Sequence, residues 1–495
     1  MANYKLSLKN YIAYGMGDLF GGGAFTLIAS LFILFLTNIV GISPVMAGTL
    51  FGLGRLGIGL IDPIVGNFSD NIRTKYGRRR VFFLYGMLPI ILTFPLMWCS
   101  PIIVGKNGVT EFMAFLYYLG MYLLFDIVYC FVITPYAALI ADMTRDYKER
   151  VRLSAFRMGF SQFASVLATS IAPLLLGSFN YSRNGYLVMS IIFAIFFACI
   201  WIFVFWGTFE LPIPEDKNEF KPNQSKIDNA LLFLKELLST LKNKSFRAQL
   251  SMFLLDAAAL DMLMIITPIL VKDDLMRSDL VPYVSSMWLI QLLVLPFYVH
   301  LANKYNKAFT YRVGAMIWIL GILSLFLLTK HSVSVFLIIC CFGLIGLGLS
   351  SCYMIPQSML SFVVEVDVLI STKSRPGLYA GAMSFCRKFS QAIIILPGIG
   401  YLMSMSGYQK GGVIQSPETM FTLKILFILI PVALVIIAFI NSYKFCLTPT
   451  NFKLMKQEID RLRDGGKEYP SIEVQQVCEK ITGQQYSKLY LAWSK

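Results

Sequence analysis

Charge is scarce in this chain: 14% of its 495 residues are Asp, Glu, Lys or Arg, against 57% hydrophobic. A soluble protein of this length would divide into several domains, each wrapped in a polar skin, with about a quarter of its residues charged. The charged residues here are too few to make those skins. Histidine is nearly absent, with only His300 and His331, both at expected loop edges. Neither a histidine metal cluster nor a histidine-based catalytic group can be built from them. The nine cysteines form no Cys-x-x-Cys pair, and Cys130, Cys199, Cys340 and Cys341 fall inside apolar runs, where they read as small packing residues. No nucleophile–base set or metal cluster is offered, so the chain does not read as an enzyme, and no cofactor or metal is expected.

What is present is long apolar runs. The mean hydropathy is +0.66, and the apolar residues gather into runs of about 20, the length that crosses roughly 30 Å of hydrocarbon as a helix. Spans are expected near 11–38, 46–69, 82–102, 113–140, 154–178, 186–207, 249–272, 281–303, 309–329, 333–364, 377–404 and 418–446. The first is too long for a signal peptide and lacks a small-residue cleavage site, so it reads as a retained helix. The fold class is therefore an all-α membrane protein. Residues 1–208 form one six-helix bundle, 209–248 a polar linker, 249–446 a second six-helix bundle, and 447–495 a tail. In the linker, Ile227, Leu231, Leu234, Leu238 and Leu241 recur at helical spacing, which predicts an amphipathic helix along the inner membrane face.

The net charge of +15 sits where topology needs it rather than where nucleic acid would. With the N-terminus inside, 32 of the 43 Lys and Arg fall in cytoplasmic segments and six in external loops. That asymmetry puts both termini in the cytoplasm and favours anionic lipid head groups; no nucleic-acid partner is expected. The two halves also echo each other. Pro135-Tyr136-Ala137-Ala138-Leu139 closes the fourth span, and Pro356-Gln357-Ser358-Met359-Leu360 closes the tenth. Six plus six with parallel halves is the transporter plan in which a midplane site opens alternately to each side.

One loop stands out: Gly66, Asp70, Arg73, Gly77, Arg78, Arg79 and Arg80 between the second and third spans. It reads as a conformational latch, with the acid pairing to basic groups or a helix terminus on the neighbouring bundle and the basic run anchoring the loop at the surface. Intramembrane ionisable residues form the next layer, because a charge in hydrocarbon is costly and defaults to function. They are Asp18, Arg55, Asp62, Asp126, Arg157, Asp256, Asp261, Arg387 and Lys388. For Asp18, Asp256 and Asp261, bracing a helix and contacting substrate stand equally open. Asp62 precedes Pro63 in a helix centre, where freed carbonyls can join a cation site.

Several stretches resemble the glycoside-pentoside-hexuronide:cation symporters, the melibiose-permease-like branch of the major facilitator superfamily. They are Tyr14 to Asp18, Arg55 to Asp62-Pro63 and Gly66, Arg73 to Arg78, Pro135 to Asp146, Glu149 to Arg157, and Glu365-Val366-Asp367 through Gly377 to Lys388. The resemblance covers roughly residues 10 to 440 and implies a major facilitator fold of twelve transmembrane helices. It makes Asp62 the coupling-cation carboxylate and Arg157 and Lys388 cavity charges. It also has gaps. Ile58 and Ile61 stand where relatives carry an acid and a sodium-site asparagine, Cys130 replaces a threonine ligand, and Pro376 replaces a loop acid. Gly22, Ile133 and Ala137 stand at the positions of two sugar-binding aspartates and a stacking tryptophan.

Sodium needs several oxygen ligands at once, whereas a single buried carboxylate can still take a proton. The expectation is therefore a secondary active saccharide importer, coupled to H+ in preference to Na+ through Asp62 and Asp126. Substrate-binding candidates are Asp18, Arg55, Arg157, Tyr129, Gln357, Arg387 and Lys388. The basic groups suit an acidic sugar beside a neutral glycoside. A lysolipid carrier or a sugar uniporter on the same fold is the alternative. The partners expected are a small saccharide and the lipid bilayer, for a monomer in the cell (inner) membrane.

Overall fold

The computed structural model describes residues 6–493 apart from 73, 100, 102, 106–107, 145–146, 212–236, 330–332, 373–374, 411–414 and 465–468, and apart from the side chains of 58–60, 62–64, 66–67, 70–71, 141, 147–148, 151 and 491–492. Most of the amphipathic linker helix expected over 227–241 lies outside the described residues. All regular structure among the described residues is helical.

Six long helices make the first half: α1 (Leu8–Val40), α2 (Pro44–Asn71), α3 (Val81–Trp98), α4 (Glu111–Met143), α5 (Tyr147–Ser178) and α6 (Arg183–Gly207). Six more make the second: α7 (Lys244–Asp274), α8 (Ser278–Lys304), α9 (Lys307–Leu327), α10 (Val335–Ser371), α11 (Pro376–Ser390, continuing through Gln391–Ile395 into Leu396–Met405) and α12 (Pro417–Ser442). Ten of the twelve are long and apolar enough to cross a membrane, and α2 and α11 complete the set.

Local chemistry sets the ends. Thr110, Ser182, Asn243, Asn306, Ser334 and Ser416 each accept a hydrogen bond from the third residue beyond, capping α4, α6, α7, α9, α10 and α12. Proline opens α2, α11 and α12, where its missing N–H costs nothing. Wide turns at Ile28–Phe32 and Gln391–Ile395 interrupt α1 and α11, and others at Leu36–Val40 and Leu270–Asp274 close α1 and α7; such turns commonly sit at functional positions.

The halves meet most tightly at the end of the molecule away from the chain termini. There α2 lies along α11, and α5 against the start of α8. The approach is backbone to backbone: a Cβ on Gly48, Gly52 or Gly400 would collide with the carbonyl of Leu396, Ala392 or Pro44 respectively. The apolar core of the first half runs on at this end through Met262, Ile266, Leu396, Ile399 and Phe427 of the second. Polar groups tie the rim. Lys410 Nζ lies 2.7 Å from Glu111 Oε2, the Tyr408 hydroxyl is 3.1 Å from both Asn38 Oδ1 and Asp273 Oδ2, and Lys272 stacks over Tyr181 at 4.8 Å.

The tail folds. Helices α13 (Pro449–Arg463), α14 (Ile472–Thr482) and α15 (Tyr486–Trp493) close around Met455, Ile459, Leu462, Cys478, Ile481 and Leu489, and bury Val366 and Leu369 at the end of α10. Ser245 at the start of α7 donates to the Ile481 carbonyl at 2.8 Å, and Trp493 Nε1 donates to the Leu369 carbonyl at 3.2 Å. Burial pushes the Cys478 thiol up to about 12, with Glu458 and Glu479 adding to the effect, so it stays unreactive.

Candidate substrate and coupling site

Between the halves lie two chambers that share Phe25 and Arg387. One, of about 260 Å³, is lined by Gly22, Ser161, Gln162, Asp256, Asp261, Trp288, Tyr353 and Gln357, among others. The second, of about 300 Å³, is lined by Phe25, Arg55, Tyr129, Ile133, Ser384, Arg387, Lys388 and Gln391. Their walls come from α1, α2, α4, α5, α7, α8, α10 and α11, so both halves contribute.

The basic groups differ in how they are held. Arg387 Nη2 donates to Asp261 at 2.7 Å, and Gln391 Nε2 donates to the other oxygen at 3.1 Å. The wide turn beginning at Gln391 brings that amide round to α7. Arg387 Nη1 is buried with no hydrogen-bond partner among the described residues. Arg55 is 6% exposed and has no acid partner within ion-pair distance among the described residues. Its guanidinium lies over the Phe25 ring at 4.1 Å and the Phe51 ring at 5.2 Å, and its Nε and Nη2 lack hydrogen-bond partners among the described residues. Buried N–H groups left unmade are costly, and these border a cavity that a ligand's oxygen can enter.

Arg157 is held differently. Its Nε donates to Asp18 Oδ1 at 3.2 Å, and its guanidinium sits 5.2 Å from the Tyr136 ring. Tyr136 in turn stacks on Tyr14 and donates to its carbonyl at 2.6 Å. The pair therefore braces α1, α4 and α5, and neither Asp18 nor Arg157 borders the two chambers. Gly22 also follows from this packing: a Cβ there would collide with Ser161 Oγ, so α1 and α5 leave no room for a larger side chain at that position.

Tyr129 lines the second chamber and donates to the Gly21 carbonyl at 3.2 Å; Gln357 lines the first. Asp126 is buried on α4, where it and Arg55 both reach Tyr122 electrostatically. Asp62, Gly66 and Asp70 fall on α2 with side chains outside the described residues, and Arg73 lies outside them altogether.

The described part of the α2–α3 loop, the expected latch, is held within its own half. Arg78 Nη2 meets Asp142 at the end of α4 at 2.9 Å, and Arg79 joins the same carboxylate. Glu210, just past α6, accepts the backbone N–H groups of Arg78, Arg79 and Arg80 at 2.9, 2.9 and 3.0 Å. These N–H groups belong to the turn that leads into α3, so Glu210 is an anion at the entry to that helix. Gly77 makes this possible. Its φ is +102°, and a Cβ would stand 2.5 Å from Glu210 Oε1. The second half has a counterpart: Asp367 on α10 takes Arg375 through two bonds of 2.8 Å and the Tyr379 hydroxyl at 2.9 Å. Asp142, Glu210 and Arg375 were not among the sequence candidates. Asp142 shows a faint signal, as the acidic turn after Pro135, and Glu210 shows none.

Two six-helix halves around a shared, charged cavity, sealed at one end, define a membrane transporter of the major facilitator type. Residues 13–448 match the family described as MFS/sugar transport protein, and the chain belongs to that family, the glycoside-pentoside-hexuronide:cation symporters. It is 25% identical to the glucuronide carrier protein homolog of Escherichia coli K12, over 92% of this chain and 96% of that one. It is 24% identical to a putative sulfoquinovose importer of the same strain, over 93% and 95%. Among solved structures, the inward-open xylose transporter XylE of E. coli shares the fold with a TM-score of 0.59 at 12% identity, covering 91% of this chain and 98% of that one.

Proposed function

We propose that this protein imports a saccharide bearing an anionic group by H+ symport, through alternating access at the cavity between its halves. The observation that carries the reading is Arg55: a buried guanidinium on the cavity wall, stacked on Phe25, with two N–H groups unpartnered among the described residues. Planar guanidinium donors match a carboxylate or sulfonate, and Lys388 and Arg387, whose Nη1 has no hydrogen-bond partner among the described residues, line the same chamber. Tyr129, Trp288, Gln357 and Gln391 supply the aromatic and amide groups that a sugar ring needs. Similarity to proteins named for a glucuronide and for sulfoquinovose fits an anionic sugar.

In this reading Asp62, together with Asp126, carries the coupling proton. Asp18 and Arg157 act from outside the cavity by holding α1 and α5 together. Gly66, Asp70, Arg73, Gly77 and Arg78 belong to the latch. The termini face the cytoplasm, the sealed end faces outward, and the protein works as a monomer in the cell membrane.

A thermal-shift screen of purified protein against neutral and acidic saccharides, at two pH values with and without sodium, tests this. A ligand at a hundred times its Kd stabilises by about 2.7 kcal/mol. Acidic sugars are expected to raise Tm, and Arg55→Gln to abolish the rise. Stabilisation by lysophospholipid and by no sugar overturns the substrate class. Sodium-stimulated uptake that ignores pH overturns the ion. Asp62→Asn is expected to lose uphill uptake and keep exchange.

A further inference from the structure

Asp256 on α7 is a cavity acid to which the reading above gives no role. It lines the first chamber and is 5% exposed. Three other buried aspartates each hold a guanidinium: Asp18 has Arg157, Asp261 has Arg387, and Asp367 has Arg375. Asp256 holds a phenol. Its two oxygens lie 3.0 and 2.8 Å from the hydroxyl of Tyr311 on α9, a group with a single proton to give. No cation stands within ion-pair distance of it among the described residues.

Every other element around Asp256 is neutral or already paired. On its own helix, Asp261 is engaged by Arg387 and Gln391 of α11. From α10 comes Cys352, whose thiol reaches the Tyr311 hydroxyl. On α9, Arg312 turns away to the Ala308 carbonyl and the Tyr443 ring. Trp288 of α8 and Ser161 and Gln162 of α5 face the same chamber without charge. In α1 and α5, Asp18 and Arg157 neutralise each other, and α12 contributes nothing to this chamber.

A charged carboxylate buried with one hydrogen bond and no counter-ion is poorly satisfied; a protonated one beside a phenol is not. We propose that Asp256 is a second proton-binding carboxyl, set in the C-terminal half, loaded from the cavity and held in place by Tyr311. One oxygen takes the proton while the phenol donates to the other, so the neutral acid passes through a sealed cavity without a partner cation. The inference rests on the proton-coupled reading above.

The test uses the proton itself as ligand. Infrared difference spectra of the reconstituted full-length protein between pH 5 and pH 9 are expected to show a protonated-carboxyl band that Asp256→Asn removes. Tyr311→Phe withdraws the hydrogen bond from the charged form, so the titration midpoint of that band moves about one pH unit alkaline, tenfold in the proton equilibrium. Tyr311→Phe also serves if Asp256→Asn does not fold. A band present in the wild type and unchanged in both variants overturns the assignment. If the whole titrating band vanishes in Asp62→Asn, proton coupling stands and Asp256 is refuted. If nothing titrates across the range, both readings fall.

Discussion

The two ends of this molecule are held by different kinds of contact. At the end away from the termini, the bonds cross between halves: Gly48 and Gly52 of α2 against α11, Lys410 against Glu111, Tyr408 against Asn38. At the other end, the strong polar contacts stay inside one half. Asp142 and Glu210 clamp the α2–α3 loop, and Asp367 clamps Arg375. Contacts that cross the divide must break when the cavity changes sides; contacts within a half can travel with it. The first set therefore decides which conformation is populated, and the second decides whether each half stays rigid while it moves.

The largest expected effect comes from attacking the seal. Gly52→Val places side-chain atoms against the Ala392 carbonyl and should cost the sealed state about 3 kcal/mol, roughly a hundredfold in population. A cysteine introduced at Ala29, on the cavity wall, should then label from the sealed side of oriented vesicles. Labelling that stays confined to the opposite side would mean the glycine contact does not govern the switch.

Gly77→Ala attacks the clamp instead. Forcing a Cβ into a positive-φ position and against Glu210 should cost about 2 kcal/mol. The loss should appear as a lower Tm in detergent with the sidedness of labelling unchanged. Asp142→Asn should act in the same direction by about 1.5 kcal/mol, since both arginines keep a hydrogen-bond acceptor but lose the charge. If either clamp variant changed sidedness more than stability, the division between the two ends would have to be redrawn.

Smallest of all is Lys410→Ala. That ion pair is 41% and 27% exposed at its two side chains, so about 0.5 kcal/mol is expected. It should nudge labelling toward the sealed side and lose even that effect at high salt.

Much of the fold was legible because bilayer thickness fixes helix length, and apolar runs of that length are hard to mistake. The α2–α3 loop was legible for a similar reason: glycine and arginine at Gly77 to Arg80 are local features. What holds it was not. Asp142 and Glu210 lie 64 and 132 positions from Arg78, and no periodicity links them. Arg55 and Arg157 look alike in sequence, each a lone cation in an apolar run. Only packing separates them, since Asp18 lies within hydrogen-bond distance of Arg157, and no acid stands within ion-pair distance of Arg55 among the described residues. The folded tail escaped notice because helices of 15, 11 and 8 residues are too short to announce themselves outside the core they share.

That tail has a consequence for biogenesis. Val366 and Leu369 of α10, and Ser245 of α7, find their partners in residues made only after α12. All twelve membrane helices can therefore be inserted while the second half still shows an unfinished apolar face to the aqueous side. A chain stopped after α12 would be topologically whole yet look unfolded to the proteases that survey the membrane surface.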